Sequence, residues 1–286
     1  MEYDLTDINT VRSLLRRHGF TFKHSLGQNF IVDPEICPRI AEASGVTKNS
    51  GVIEIGAGVG VLTAELCKRA GKVVTFEVDA GLLPVLADTL SEFKNVAVIN
   101  SDIMKTDLKK VIAEELAGYD DIRVCANLPY YITSPVIMLL LEGDFGFSSM
   151  TFMVQKEAAQ RLAAPVGSRE AGAVTVAVDY RAKAEKLFDV GKNSFMPSPK
   201  VDSAVVRMDI RTAPEFAPNN EKLFFRMVRA AFSQRRKTAA NGISAGLGMD
   251  KGKVISALNA ADLNENVRAE KLTMEELVRL ADELTK

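Results

Sequence analysis

The chain has 286 residues, 47% of them apolar and 26% charged, and its formal net charge is −1. That length and balance suffice for a sizeable core and suit two globular domains. They exclude a generic polyanion binder, so any nucleic-acid surface is a local patch, and the longest dense apolar run, residues 135–141, is far too short to span a membrane.

The first residues, MEYDLTDINT, have no basic start and no apolar centre, which argues against a secretory signal. Arg12, Arg16 and Arg17 form a first basic patch. Cys37, Cys67 and Cys125 stand far apart and form no CxxC pair, so no disulfide framework is expected and a cytoplasmic setting fits. Two histidines, His18 and His24, give no basis for a zinc site, and no metal is expected.

From about residue 50 a repeated beat begins. GVIEIG (51–56), KVVTFEV (72–78), VAVIN (96–100), IRVCAN (122–127) and MTFMVQ (150–155) read as strands of buried type. Helical patterns follow each in turn, at 61–69, 81–92, 108–116, 136–142 and 156–163. Such alternation predicts βαβ units in a mostly parallel sheet, with ligands at the carboxyl ends of the strands. Residues 172–182 are ambiguous and lean to helix. KLFDVG (186–191) and SAVVRMDI (203–210) read as strands that finish the sheet. From residue 220 onward the pattern is helical, and Thr273 with Glu276 resembles a capping box. The segment TAPEFAPNN carries two prolines and two asparagines, which places a domain boundary between 1–212 and 213–286.

Three strand ends carry candidate binding chemistry. Gly56 and Gly58 lie in a GxGxG loop, where missing side chains permit a tight turn and a close ligand approach. Glu77, followed by Val78, ends the second strand and suits the two hydroxyls of a ribose. Asp102, followed by Ile103, ends the third and suits the exocyclic amine of an adenine. A glycine loop alone is weak evidence, but the three together favour a nucleoside. Glu54, two residues ahead of the loop, would repel a pyrophosphate and suit a cofactor with a positive charge. S-adenosylmethionine has a sulfonium and no phosphate, so it is preferred over a nicotinamide dinucleotide.

The fourth strand ends in Asn127-Leu128-Pro129-Tyr130. The exocyclic amine of a nucleobase is a poor nucleophile because its lone pair is delocalised into the ring. Two acceptors aimed at its N–H bonds, the Asn127 side-chain oxygen and the Leu128 carbonyl, would help localise that pair. Pro129 lacks an N–H and stiffens the turn. Tyr130 offers a face for base stacking, worth roughly 1–3 kcal/mol.

On these motifs the chain resembles the bacterial small-subunit ribosomal RNA adenine N6-dimethyltransferases, the KsgA family, nearly end to end. The segment 24–31, with Gln28, Asn29 and Ile31, resembles the family's GQNF segment, which closes over the methionine end of the cofactor. Residues 54–60 resemble its cofactor loop, and Asn127 to Tyr130 its catalytic NLPY. Residues 195–203 resemble its FxPxPxVDS loop, whose phenylalanine, here Phe195, stacks on the target base. Residues 231–237 resemble the opening of its C-terminal helical domain. Arg229, Arg235, Arg236 and Lys237 are accordingly candidate RNA contacts. Three positions depart from the family pattern: Ala57 for a proline, Ala171 for an aromatic, and residues 238–242, which lack an expected arginine and leucine.

The expected fold is therefore α/β, a Rossmann-like class I methyltransferase with a mostly parallel sheet plus a smaller all-helical C-terminal domain. The resemblance implies transfer of methyl groups from S-adenosylmethionine to N6 of two adjacent adenosines near the 3′ end of 16S rRNA. It implies a monomer acting on the 30S subunit or its precursor, with no membrane partner. Three alternatives are a 23S rRNA adenine N6-methyltransferase of macrolide-resistance type, a non-catalytic ribosome-assembly factor and a nicotinamide oxidoreductase. The last leaves Asn127 to Tyr130 unexplained.

Overall fold

A central strand buried at every position, Ser50–Ile55, sets the frame. The computed structural model describes residues 3–23, 26–234 and 236–286. The chain divides into two compact units, Met1–Ala159 with Glu185–Ile210, and Gln160–Ala184 with Arg211–Lys286.

The first unit starts with α1 (Ile8–Arg17), capped by the Asp7 side chain, which accepts from Thr10 N at 2.8 Å. Its buried Val11, Leu14 and Leu15 recur at helical spacing. A two-residue strand β1 (Phe30–Ile31) and helix α2 (Ile36–Ala43) precede the alternating core. That core runs β2 (Ser50–Ile55), α3 (Val61–Arg69), β3 (Lys72–Phe76), α4 (Leu83–Thr89), β4 (Val96–Ile99), α5 (Leu108–Glu115), β5 (Asp121–Asn127), α6 (Thr133–Glu142) and β6 (Phe147–Gln155). The chain continues through α7 (Lys156–Leu162), α8 (Ala173–Arg181), β7 (Ala182–Val190), β8 (Phe195–Met196) and β9 (Ser203–Ile210).

The seven-stranded sheet has the order β4-β3-β2-β5-β6-β9-β7. Pairing is parallel from β4 through to β6 and antiparallel between β6 and β9. The chain leaves β2 for β3 and β4 on one side, then returns to β5 on the other. The carboxyl end of β2 is thus a topological switch point, where open α/β sheets bind their ligands. A separate ribbon pairs β1 with β8, Phe30 opposite Met196 and Ile31 opposite Phe195.

Most expected elements appear within a residue or two of their predicted ends, and the ambiguous stretch 172–182 is the helix α8. Two differences bear on function. Strand β3 ends at Phe76, so Glu77 stands in the loop beyond it. The helical pattern at 81–92 splits into a 3-10 turn, Ala80–Leu82, capped by Asp79, and then α4.

The second unit carries α9 (Glu221–Phe232), α10 (Ala239–Leu247), α11 (Lys251–Ala260) and α12 (Met274–Glu283). It also takes in Gln160–Ala184, a stretch that the proline-rich segment at 212–220 does not separate from the first unit in sequence. Tyr180 joins Phe224 and Phe225 in a ring cluster with centroids 5.3 Å apart. Its hydroxyl donates to Glu221, and burial together with that carboxylate pushes the phenol up to about 12. Thr273 and Glu276 form the reciprocal capping box of α12. Residues 238–242 have a packing reason for their small side chains. A Cβ at Gly242 would come within 2.8 Å of the Ala230 carbonyl oxygen, so α10 sits directly against α9. Among the described residues, no helix is long and apolar enough to cross a membrane.

Candidate active site

A cavity of about 270 Å³ opens at the carboxyl ends of β2, β3 and β5. Its lining includes Gln28, Asn29 and Ile31, Gly56 and Gly58, Glu77 and Val78, Asp102 and Ile103, Asn127, Leu128, Pro129 and Tyr130, and Phe195. Segments far apart in sequence therefore converge on one space.

The floor is the glycine loop. Gly56, Gly58 and Gly60 all have positive φ, a conformation that side chains resist. A Cβ at Gly58 would also press on the Phe30 ring at 3.3 Å. Glu77 faces this loop and is 5% exposed. Its Oε2 accepts from Gly58 N and its Oε1 from Asp79 N, each at 2.9 Å. Each oxygen keeps lone-pair capacity beyond that one bond, as two adjacent hydroxyls require. Burial raises the Glu77 carboxyl above its ordinary value, against the opposing pull of those backbone donors. Asp102 caps a short 3-10 turn through Met104 N at 3.0 Å, and Lys105 lies 3.9 Å away.

The β1–β8 ribbon sets the cavity's roof. It brings Ile31 opposite Phe195, and Val32 N donates to Ser194 O at 2.9 Å. Phe20, Phe22 and Phe30 cluster with centroids 5.4–6.2 Å apart, and Phe30 with Phe20 joins the core that also holds Val11, Leu14, Leu15 and Leu82, while Phe22 stays exposed. Gln28 has both ends of its amide engaged: Oε1 accepts from Lys23 N and Nε2 donates to Asp79 Oδ2.

Asn127 is the last residue of β5, in register with Met153 of β6. Its Nδ2 donates to the Asn29 carbonyl at 3.5 Å. At 3.5 Å this is a long contact; because a carbonyl accepts, it matches an amide with Nδ2 on that side and Oδ1 on the other. Leu128 N donates to Met153 O, and no hydrogen bond from the described residues engages Leu128 O. Pro129 O accepts from Ile132 N and Thr133 Oγ1, which ties the turn to the start of α6. The Tyr130 hydroxyl is 2.8 Å from Ser203 Oγ, so the ring is held at its far end. Phe195 is 5% exposed, packed into the core yet present at the cavity wall.

One expectation is corrected. Glu54 does not face the cavity: it is fully buried beside α3 and accepts from Thr63 Oγ1 at 2.6 Å. Burial pushes its carboxyl up to about 7. The argument against phosphate from its charge therefore has no geometric basis. The three cysteines are buried, and desolvation pushes all three thiols up, so none is an activated nucleophile.

Other expected residues fall elsewhere. Arg229, Arg236 and Lys237 are exposed in the second unit, while Arg235, His24 and Ser25 lie outside the described residues. On α9, Lys222, Arg226 and Arg229 share the face opposite the buried Phe224, Phe225 and Val228. Among the described residues, no group of His, Cys, Asp and Glu could hold a metal ion.

Sequence reasoning missed Lys23, Asp79 and Tyr131. Tyr131 is 56% exposed at the cavity mouth, and a Cβ at Gly27 would lie 3.5 Å from its ring. Its signal was the second tyrosine of NLPYY. Asp79 could have been found as a turn-capping acid directly ahead of AGLL.

The model of the ribosomal RNA adenine dimethylase family matches residues 19–286. The ribosomal RNA small subunit methyltransferase A of Geobacillus thermodenitrificans is 46% identical, over 99% of this chain and 98% of that protein. The protein of the same name from Bacillus pumilus is 43% identical, over 100% and 99%. Among solved structures, a dimethyladenosine transferase from Plasmodium falciparum superposes with a TM-score of 0.70 at 26% identity, covering 87% of this chain and 95% of that one. The 23S rRNA methyltransferase ErmE gives 0.64, also at 26%, covering 90% and 100%.

Proposed function

The chain belongs to the ribosomal RNA adenine dimethylase family, and on that premise we propose that it dimethylates N6 of two adjacent adenosines near the 3′ end of 16S rRNA. The observation that carries the chemistry is the Asn127 amide, with Nδ2 on the side of the Asn29 carbonyl and Oδ1 left to accept at the cavity. The small subunit is favoured over the large one by end-to-end identity of 42–46% with small-subunit methyltransferases, against 26% for the 23S enzyme. The protein acts as a monomer in the cytoplasm, on the 30S subunit or its precursor. The methyltransferase unit is Met1–Ala159 with Glu185–Ile210, and the RNA-binding unit is Arg211–Lys286 together with Gln160–Ala184, which a single boundary at 212 leaves on the wrong side.

The cavity fits S-adenosylmethionine. Glu77 would hold the ribose, Asp102 and Ile103 the adenine, and Asn29, Ile31, Gly56 and Gly58 the methionine end. The cofactor supplies an electrophilic methyl group. Asn127 Oδ1 and Leu128 O accept the two N–H bonds of the target amine and draw its lone pair out of the ring. Tyr130 and Phe195 offer ring faces to the extruded base. Neither amide nor carbonyl titrates, so no general base is invoked; the methylated amine is acidic enough to release its proton to water.

Tritiated methyl transfer to undermethylated small subunits, large subunits and free RNA tests this reading. Label in small-subunit RNA alone is expected; label confined to large subunits would overturn it. Glu77→Ala is expected to weaken cofactor binding in a folded protein, because both lone-pair sites facing the ribose vanish. Calorimetric titration checks it, and unchanged affinity would remove the ribose assignment. Replacing Arg236 and Lys237 together is expected to flatten the salt dependence of RNA binding. Each lost phosphate contact removes about 0.7–0.9 from the slope of log K against log[salt]. An unaltered slope would make this patch a solvated surface.

A further inference from the structure

Asp79 is a polar residue at 1% exposure, and its carboxylate gathers donors from two directions. Lys23 Nζ lies 2.6 Å from Oδ1, Gln28 Nε2 lies 2.8 Å from Oδ2, and Gly81 N lies 3.0 Å from Oδ1. Lys23 and Gln28 belong to the segment ahead of β1, while Gly81 belongs to the turn after β3. Lys23 adds a second tie, its own N–H donating to Gln28 Oε1 at 2.9 Å. Burial opposes ionisation of Asp79, but these donors outweigh it and hold the carboxyl below its ordinary value. The Asp79 N–H in turn donates to Glu77 Oε1, whose partner oxygen is held by Gly58. Two carboxylates thus join the roof segment, the end of β3 and the glycine loop in one chain of hydrogen bonds.

We propose that Lys23, Gln28 and Asp79 form a latch that fixes the roof segment and orients Glu77 for the cofactor. Asp79 is a positioning residue: its oxygens are all engaged by protein donors, and it is absent from the cavity lining. Gln28 lines the cavity, yet its amide is spent on the latch rather than left for a ligand. The charge on Lys23 matters because a charge-assisted bond is about twice as strong as a neutral one. Its side chain is 53% exposed, so added salt weakens the pair from the solvent side. The inference rests on the cofactor reading above.

The test is calorimetric binding of S-adenosylhomocysteine, which lacks the sulfonium charge. Lys23→Met is expected to weaken binding about tenfold, and Lys23→Arg to restore most of it. Raising salt from about 0.05 to 0.5 M is expected to weaken binding to the parent protein but not to Lys23→Met. In methyl transfer, KM for the cofactor rises while kcat at saturation holds, a split that general destabilisation would not give. Asp79→Asn follows the same pattern; if it fails to fold, the exposed Lys23 carries the test. Unchanged affinity in folded Lys23→Met overturns the latch, as does an identical salt dependence. If Glu77→Ala also binds normally, the cofactor placement itself has failed; if Glu77→Ala binds weakly and Lys23→Met does not, only the latch has.

Discussion

Asn127→Ala is expected to slow methyl transfer about a thousandfold or more, comparable to removing one preorganised hydrogen-bonding group elsewhere, while RNA affinity changes little. A thousandfold corresponds to about 4 kcal/mol of barrier. The reasoning turns on when the contact forms. In the ground state the target amine is flat and its N–H bonds are adequately served by water or RNA. As nitrogen moves toward tetrahedral, the two N–H bonds bend away from the ring plane and become better donors. Asn127 Oδ1 and Leu128 O then gain strength together, so the loss falls on kcat rather than on binding. The Asn29 carbonyl, 3.5 Å from Nδ2, matches the amide orientation that leaves Oδ1 for the target amine. Alanine removes both the acceptor and the tie to Asn29. Tyr130→Ala is expected to behave differently, since losing a stacking face impairs holding the base as well as turnover. Single-turnover rates on small subunits, with RNA affinity measured separately, check both. Near-normal rates in Asn127→Ala would reduce residues 127–130 to a structural turn.

The sites that could be read from sequence share one property: their signals are local. A strand, a glycine loop and an acid at the next strand end are each contained in a few residues, so Gly56, Glu77, Asp102 and Asn127 could be placed by order alone. What could not be read depends on pairing across long separations. The β1–β8 ribbon sets Phe30 opposite Met196, and two-residue strands leave no periodicity to detect. The latch joins Lys23 to Asp79 across 56 positions. Orientation fails for another reason. Strand β2 is buried at all six positions, so its sequence does not alternate, and nothing local says which face Glu54 takes. Its acidity suggested a ligand; its partner turned out to be Thr63 of the neighbouring helix.

That buried acid has a consequence for stability. Glu54 Oε1 has no hydrogen-bond partner among the described residues, and neither has Thr75 Oγ1, at the paired position of β3. The Thr63 hydroxyl donates to the carboxyl group and the nearby Thr75 hydroxyl can turn toward it, and both pull its value down. Desolvation disfavours the charge, and the folded-state value rises from the ordinary 4.5 to about 7. The sign follows from proton binding. Below 4.5 both folded and unfolded chains hold the proton, so the stability is at its full value and does not change with pH. Between 4.5 and 7 the folded chain holds a proton that the unfolded chain has released, so stability falls as pH rises. Above 7 the loss is complete, on the order of 3 kcal/mol at 1.36 kcal/mol per pKa unit. Glu54→Gln removes the titration while keeping an acceptor for Thr63 and adding a donor for Thr75. The parent protein is therefore expected to lose about 3 kcal/mol more than Glu54→Gln between pH 5 and pH 8. Urea titrations followed by circular dichroism at the two pH values check this. Subtracting the loss in one protein from the loss in the other cancels the titrating groups that both share. Parallel losses in the two proteins would mean that Glu54 is ionised in the folded state, with its charge held by something other than the hydroxyls beside it.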